Sequence, residues 1–264
     1  MNASAVDVSI LLPALAAGLL VTATHVPLGT QVLARGIVFI DLAIAQIAGC
    51  GVLLADRVGF EPEGVAVQVA AIAAALAGAL LLTWTERNWP EVQEATIGVV
   101  FVLAATGSIL LLASNVHGSE HLRDLLVGQI LWVQPARLGW AAAAYAVVLA
   151  LWFTARERLG RTGFYVLFAL TVTVSVQLVG LYLVFATLIV PPLGTRRMIR
   201  HRLAAAWAIG LAGYAAGLVL STMLDLPTGP VIVWTLAAFA LCWDIASASL
   251  LADAAARSQR VAPG

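Results

Sequence analysis

The sequence is cut into long apolar runs at about 8–33, 37–55, 64–85, 95–113, 136–154, 163–179, 180–193, 204–223 and 230–251, bounded by arginines, acids, glycine or proline. An α-helix needs roughly 20 apolar residues to cross the hydrocarbon core of a bilayer. In lipid a single segment must satisfy its own backbone hydrogen bonds, and a helix does so. The runs therefore predict an all-α, polytopic transmembrane helical bundle of about eight or nine spans, formed by residues 1–264 as one domain. The run 180–193 is short for a crossing and reads as a half-helix or a re-entrant piece. Between Ser114 and Pro135 a polar start gives way to apolar residues, so that segment reads as re-entrant or interfacial.

Composition excludes the soluble alternative. Hydrophobic residues make up 62% of the chain and charged residues 11%, against about a quarter charged in a soluble domain. The expected partner is the lipid bilayer, with no nucleic acid. All 14 basic residues are arginine. A P-loop lysine, a Schiff-base lysine and a lysine general base are thus excluded together. If ATP drives this chain, a separate subunit hydrolyses it. No Ser/His or paired-carboxylate constellation has workable spacing, so the chain is not expected to be an enzyme. Cys50 and Cys242 lie far apart in apolar segments without metal or redox spacing. Residues 1–9 contain Asp7 and no basic residue, unlike a signal peptide, so the first run is expected to remain as a span.

Arginine placement orients the bundle. Arg35, Arg87, Arg156, Arg158, Arg161, Arg196, Arg197, Arg200, Arg202, Arg257 and Arg260 fall on one side, and Arg57, Arg123 and Arg137 on the other. That places the N-terminus outside and the C-terminus in the cytoplasm, provided that 180–193 returns across the membrane. Small residues such as Gly213 and Gly217 let helix backbones approach in lipid, here within the chain rather than between chains.

An ionisable group inside a span is costly and usually faces a pathway or a partner. Asp41, early in the second run, reads either as such a group or as a carboxylate near the headgroups held by neighbouring amides. His25 lies deeper in the first run. Pro27 and Gly29 follow it, and a break there would expose carbonyls beside the imidazole; the other reading is a histidine bonded to a loosened turn. Gln46 is about 140° around the helix from Asp41. Asp244 reads as paired within the bundle or as lying near water. On a helix His117, His121 and Asp124 would gather on one side as divalent-metal ligands, although Gly118 and Ser119 favour a solvated loop.

Four local patterns resemble the integral-membrane permease family of zinc and manganese ABC importers. They are Pro27–Gly29 with Arg35, Gly36, Asp41 and Leu42–Ala45; Ala95–Phe101 followed by LVGQILWVQPARL; VGLYLVFATLIVPPLGTRR over Val179–Arg197; and LPTGPVIV over Leu226–Val233. The resemblance implies a homodimeric permease in the bacterial inner membrane, with a cytoplasmic ABC ATPase subunit on each half. A periplasmic or extracellular metal-binding protein would deliver the ion. It also implies that zinc or manganese passes through as cargo with no permanently bound cofactor. Asp41, with His25, is the candidate metal contact, and Arg156, Arg158, Arg161, Arg196, Arg197 and Arg200 are candidates for docking the ATPase.

The chain departs from the family in three places. The histidine expected four residues after the aspartate is Ala45, or Ile44 if Leu42–Ala45 sets the alignment, the aspartate of the LFGD pattern is Gln129, and the cytoplasmic loop before the sixth span shrinks to TARERLGRTG at Thr154–Gly163. These departures sustain a rival reading: a repurposed permease homologue acting as a scaffold or accessory subunit, or a carrier independent of ATP.

Overall fold

A computed structural model describes residues 8–61, 64–112, 130–198 and 200–261. Eight helices account for nearly all of them: α1 (Val8–Arg35), α2 (Ile40–Arg57), α3 (Val65–Asn88), α4 (Gln93–Leu112), α5 (Pro135–Val179), α6 (Leu181–Gly194), α7 (Arg202–Leu224) and α8 (Thr228–Val261). Among the described residues there is no strand. Among the described residues six stretches are long and apolar enough to cross a membrane: Ile10–Arg35, Val65–Asn88, Pro135–Ala155, Glu157–Val179, Arg202–Leu224 and Thr228–Ser249. The chain is a helical membrane bundle. The 14 residues of α6 reach about 21 Å at the helical rise, less than the hydrocarbon thickness of roughly 30 Å, in keeping with the short run at 180–193.

The loop expected at Thr154–Gly163 is instead helical on both sides of one residue. Within α5 only Gly160 leaves helical geometry, at φ 59 and ψ −151, a conformation that glycine reaches at little cost. The chain turns back there. The Tyr145 hydroxyl bonds the Ser175 hydroxyl, and the Trp152 and Phe164 rings lie 6.0 Å apart, so the two limbs run antiparallel about Gly160.

The helix ends sort into two faces. Arg35 lies 4.3 Å over the Phe164 ring, Arg87 Nη2 donates to Thr162 at 2.9 Å, and Arg161 pairs with Glu86 at 3.6 Å. These arginines share one face, called the near face below. Arg57 Nη1 donates to the Leu111 carbonyl at 3.3 Å at the opposite, far face. These four arginines fall on the faces to which the sequence assigned them. Trp140 and Trp234, 81% and 78% exposed, sit in the second turns of α5 and α8, which enter from the far face, where an amphipathic indole suits the bilayer boundary.

Small residues set the packing. A Cβ on Gly18 would strike the Tyr214 ring, one on Gly210 would strike Thr22, and Gly213 and Gly217 seat α7 against Leu236 and Ile232 of α8. The Gly213/Gly217 pair thus serves contacts within the chain, as expected. Of the two readings around Pro27 the break is absent: α1 runs unbroken through Pro13 and Pro27. Gly29 instead lets α1 touch the backbone of α6.

Candidate functional site

Asp41 is the second residue of α2. Phe39, just before the helix, stacks on Phe185 of α6 with ring centroids 6.3 Å apart, and its N–H donates to Glu94 Oε1 at 3.4 Å. This loop anchor drives the first turn of α2 into the bundle, leaving Asp41 fully buried. Neither carboxylate oxygen has a hydrogen-bond partner in bonding geometry, and the donors beside it are the backbone N–H groups of Asp41 and Leu42. A buried charge is normally paired or coordinated, and the positive end of α2 compensates only in part. Asp41 is an acceptor poised for a cation or a proton.

Ala45, Ala48 and Val52 continue the Asp41 face of α2, since residues four, seven and eleven positions on return to nearly the same angle. They line a cavity of about 30 Å³ together with Gln46, Gly49, Ser108 of α4, Thr173, Val176 and Gln177 of α5, and Leu181 of α6. That is room for a body the size of one water. The hydroxyls of Ser108 and Thr173 donate back to Ala104 and Ala169, which turns their lone pairs outward as acceptors. The cavity therefore carries oxygen donors and no imidazole, with a methyl group at Ala45. Nothing in their spacing groups Gln46 with Ser108, Thr173 and Gln177. The available signal was an amide in the middle of an apolar run, at Gln177 in TVTVSVQLV.

His25 is fully buried on α1. Its Nδ1 lies 2.9 Å from the Val21 carbonyl and 3.1 Å from the Thr24 hydroxyl. A carbonyl only accepts, so Nδ1 carries the proton and Nε2 presents a lone pair, which has no partner. That tautomer suits a metal ligand. However, α1 packs chiefly on α5, α6 and α7, whereas α2 packs on α3, α4 and α5. Among the described residues no three His, Cys, Asp or Glu side chains gather as a metal centre. His117, His121, Asp124 and Gln129 lie outside the described residues.

The candidate docking arginines are on the near face. Arg158 and Arg200 are exposed, and Arg161 holds Glu86. Asp244 of α8 takes Arg196 Nη2 on Oδ2 and Arg197 Nε on Oδ1, each at 3.1 Å, which decides its role in favour of pairing. Trp243 Nε1 also donates to Met198 Sδ at 3.2 Å. The turn after α6 is thereby strapped to α8. Arg156 lies in the first limb of α5, close to Gly160.

Residues 7–164 and 157–246 match the ABC 3 transport family. The chain is 25% identical over 242 residues to an uncharacterized membrane protein of Synechocystis sp., covering 83% of this chain and 84% of that protein. It is 23% identical over 246 residues to the high-affinity zinc uptake system membrane protein ZnuB of Haemophilus influenzae, covering 85% and 92%. Its fold is similar to that of a chain in the structure of PsaBC from Streptococcus pneumoniae in complex with Fab, with a TM-score of 0.71 and 22% identity over 89% of this chain and 90% of that one.

Proposed function

Since the chain belongs to the ABC 3 transport family, we propose that it is the permease subunit of an importer for a divalent transition metal, with Asp41 meeting the ion. The observation that carries this reading is the fully buried Asp41 carboxylate with both oxygens unpartnered. An ion arriving there supplies the missing charge and leaves again because few ligands hold it. A closed four-ligand site would retain it.

Between zinc and manganese, the donor set favours the harder ion. The cavity one turn beyond Asp41 offers amide and hydroxyl oxygens from Gln46, Ser108, Thr173 and Gln177, and Ala45 stands where the family resemblance leads one to expect histidine. Oxygen ligands suit manganese, and imidazole suits zinc. His25, with its free Nε2, is a separate candidate contact along α1.

In this reading two copies enclose the path and alternate its access between the two sides. A metal-binding protein delivers the ion at the far face, which is the periplasmic or extracellular side of the bacterial inner membrane. A cytoplasmic ATPase docks on the near face, which carries the arginine excess. Arg158, Arg161, Arg200 and the strapped segment with Arg196 and Arg197 are the side chains offered to it, with Arg156 beside them in sequence. The fully buried Asp41 carboxylate, unpaired by any side chain, weighs against a role as scaffold alone.

The deciding experiment is metal accumulation in cells with and without the gene under manganese and then zinc limitation. Loss of manganese accumulation, restored by wild type and not by Asp41→Ala, is the expected result. Loss of zinc accumulation instead would overturn the choice of ion, and no change in either metal would overturn the importer. Unchanged uptake by His25→Ala would remove His25 from the path.

A further inference from the structure

At the near face a cavity of about 280 Å³ opens under the α5 turn, lined by Gln31, Arg35, Trp152, Glu157, Leu159, Gly160, Phe164 and Leu167. It lies apart from the Asp41 site and shares no residue with the cavity beside it. Its volume is just under the roughly 300 Å³ at which pockets begin to hold a whole drug-sized ligand. Its chemistry is divided. Arg35 and Gln31, one turn apart, come from α1, and Glu157, Trp152, Phe164 and Leu167 from the two limbs of α5.

Both charges are unused by the protein. Arg35 lies on the Phe164 ring at 4.3 Å, yet its buried Nη1 has no hydrogen-bond partner, and no carboxylate pairs with it among the described residues. Glu157 is exposed and likewise has no pairing partner among them. An arginine with free donors at an apolar boundary is suited to a phosphate. A lone phosphate would face repulsion from Glu157, and that carboxylate calls for a cation on the same ligand.

We propose that this cavity seats the zwitterionic headgroup of an aminophospholipid. The phosphate lies on Arg35, the primary ammonium on Glu157, and the glycerol and first methylenes run along Trp152, Phe164 and Leu167 toward the bilayer. A choline headgroup fits less well. Its quaternary ammonium has no N–H to give Glu157. Arg35 and Glu157 belong to the arginine-rich near face while Trp152, Phe164 and Leu167 carry the lining into the apolar limbs of α5, which favours a lipid over free phosphoethanolamine. The inference does not depend on the importer reading.

The test uses the full chain, purified and delipidated in detergent and titrated with phosphatidylethanolamine, phosphatidylcholine or phosphatidylglycerol of the same acyl chains. Bound lipid is counted by native mass spectrometry. The wild type is expected to prefer phosphatidylethanolamine by about tenfold, the scale set by one charge-assisted hydrogen bond. Glu157→Gln should reduce that lipid to the level of phosphatidylcholine. Arg35→Gln should weaken all three. Because Arg35 also packs on Phe164, the exposed Glu157 variant decides the question if the Arg35 variant fails to fold. Equal binding of the three lipids, or a Glu157→Gln curve superimposed on wild type, would overturn the proposal. Competition by soluble phosphoethanolamine at matching concentration would overturn the lipid as the source.

Discussion

Gly29 of α1 and Leu188 of α6 pack backbone to backbone: a Cβ on Gly29 would lie 1.8 Å from the Leu188 carbonyl oxygen. Tertiary contact thus fixes α1 to the short helix at the point where Pro191 and Pro192 begin its last turn. Overpacking a tight site costs roughly 1–3 kcal/mol, and here the obstacle is backbone that cannot rotate aside. Gly29→Ala should lower the unfolding temperature or abolish accumulation in the membrane. Gly98→Ala, where nothing lies within 4 Å of the added carbon, should leave it unchanged. Thermal unfolding of the two variants in the same detergent checks the contrast.

Asp41→Asn keeps the shape of the side chain and removes a buried carboxylate that no side chain pairs with. Transport should fall by at least about tenfold, a loss of only about 1.4 kcal/mol at the transition state. The fold should be no less stable, because an uncompensated buried charge is itself destabilising. Uptake by the variant compared with its unfolding temperature separates the two effects. A variant that unfolds more easily would mean that Asp41 holds a contact within the bundle.

Asp244→Asn releases Arg196 and Arg197. The two arginines are 43% and 44% exposed at the side chain and Asp244 16%, so solvent screens the pairs and each contributes less than about 1 kcal/mol. Stability should therefore hardly change. Limited proteolysis should nevertheless cut after Arg196 or Arg197 faster than in wild type, because the strap on that turn is loosened. Unchanged cleavage would show that Gly194 against Ala240 and Trp243 against Met198 suffice to hold it.

Gly160→Ala places a Cβ at φ 59 and ψ −151, where strain of about 1–3 kcal/mol is expected. Nothing lies within 4 Å of that carbon, so the cost is conformational and not steric. The unfolding temperature should fall. Replacing Gly160 by a short glycine–serine linker should restore it, which a packing defect would not allow.

The helices and the sorting of arginines onto two faces were legible because each rests on a local property. Runs of apolar residues announce helices in lipid, and the arginines that end them mark a face. What escaped depends on residues distant in sequence. TARERLGRTG has the charges and glycines of a loop, and only the pairing of Tyr145 with Ser175 makes it a hairpin turn. Gly29 after Pro27 is as consistent with a hinge as with close contact, and Leu188 decides between them. Asp244 lies 48 positions from Arg196, so no window of sequence reveals the pair. The unpartnered state of Asp41 likewise follows from how Phe39 and Phe185 draw α2 inward. The residue itself was visible as a carboxylate in an apolar run.

The turn at Gly160 leaves the bundle with a flush underside at α5. Where a protruding loop would act as a handle for a docking protein to grip at a distance, two helices end within a residue of each other beside Arg35, Arg87 and Glu86. A protein that engages this part of the near face has to come down onto the bilayer surface itself. Any push it gives there is delivered to both limbs of the hairpin at once.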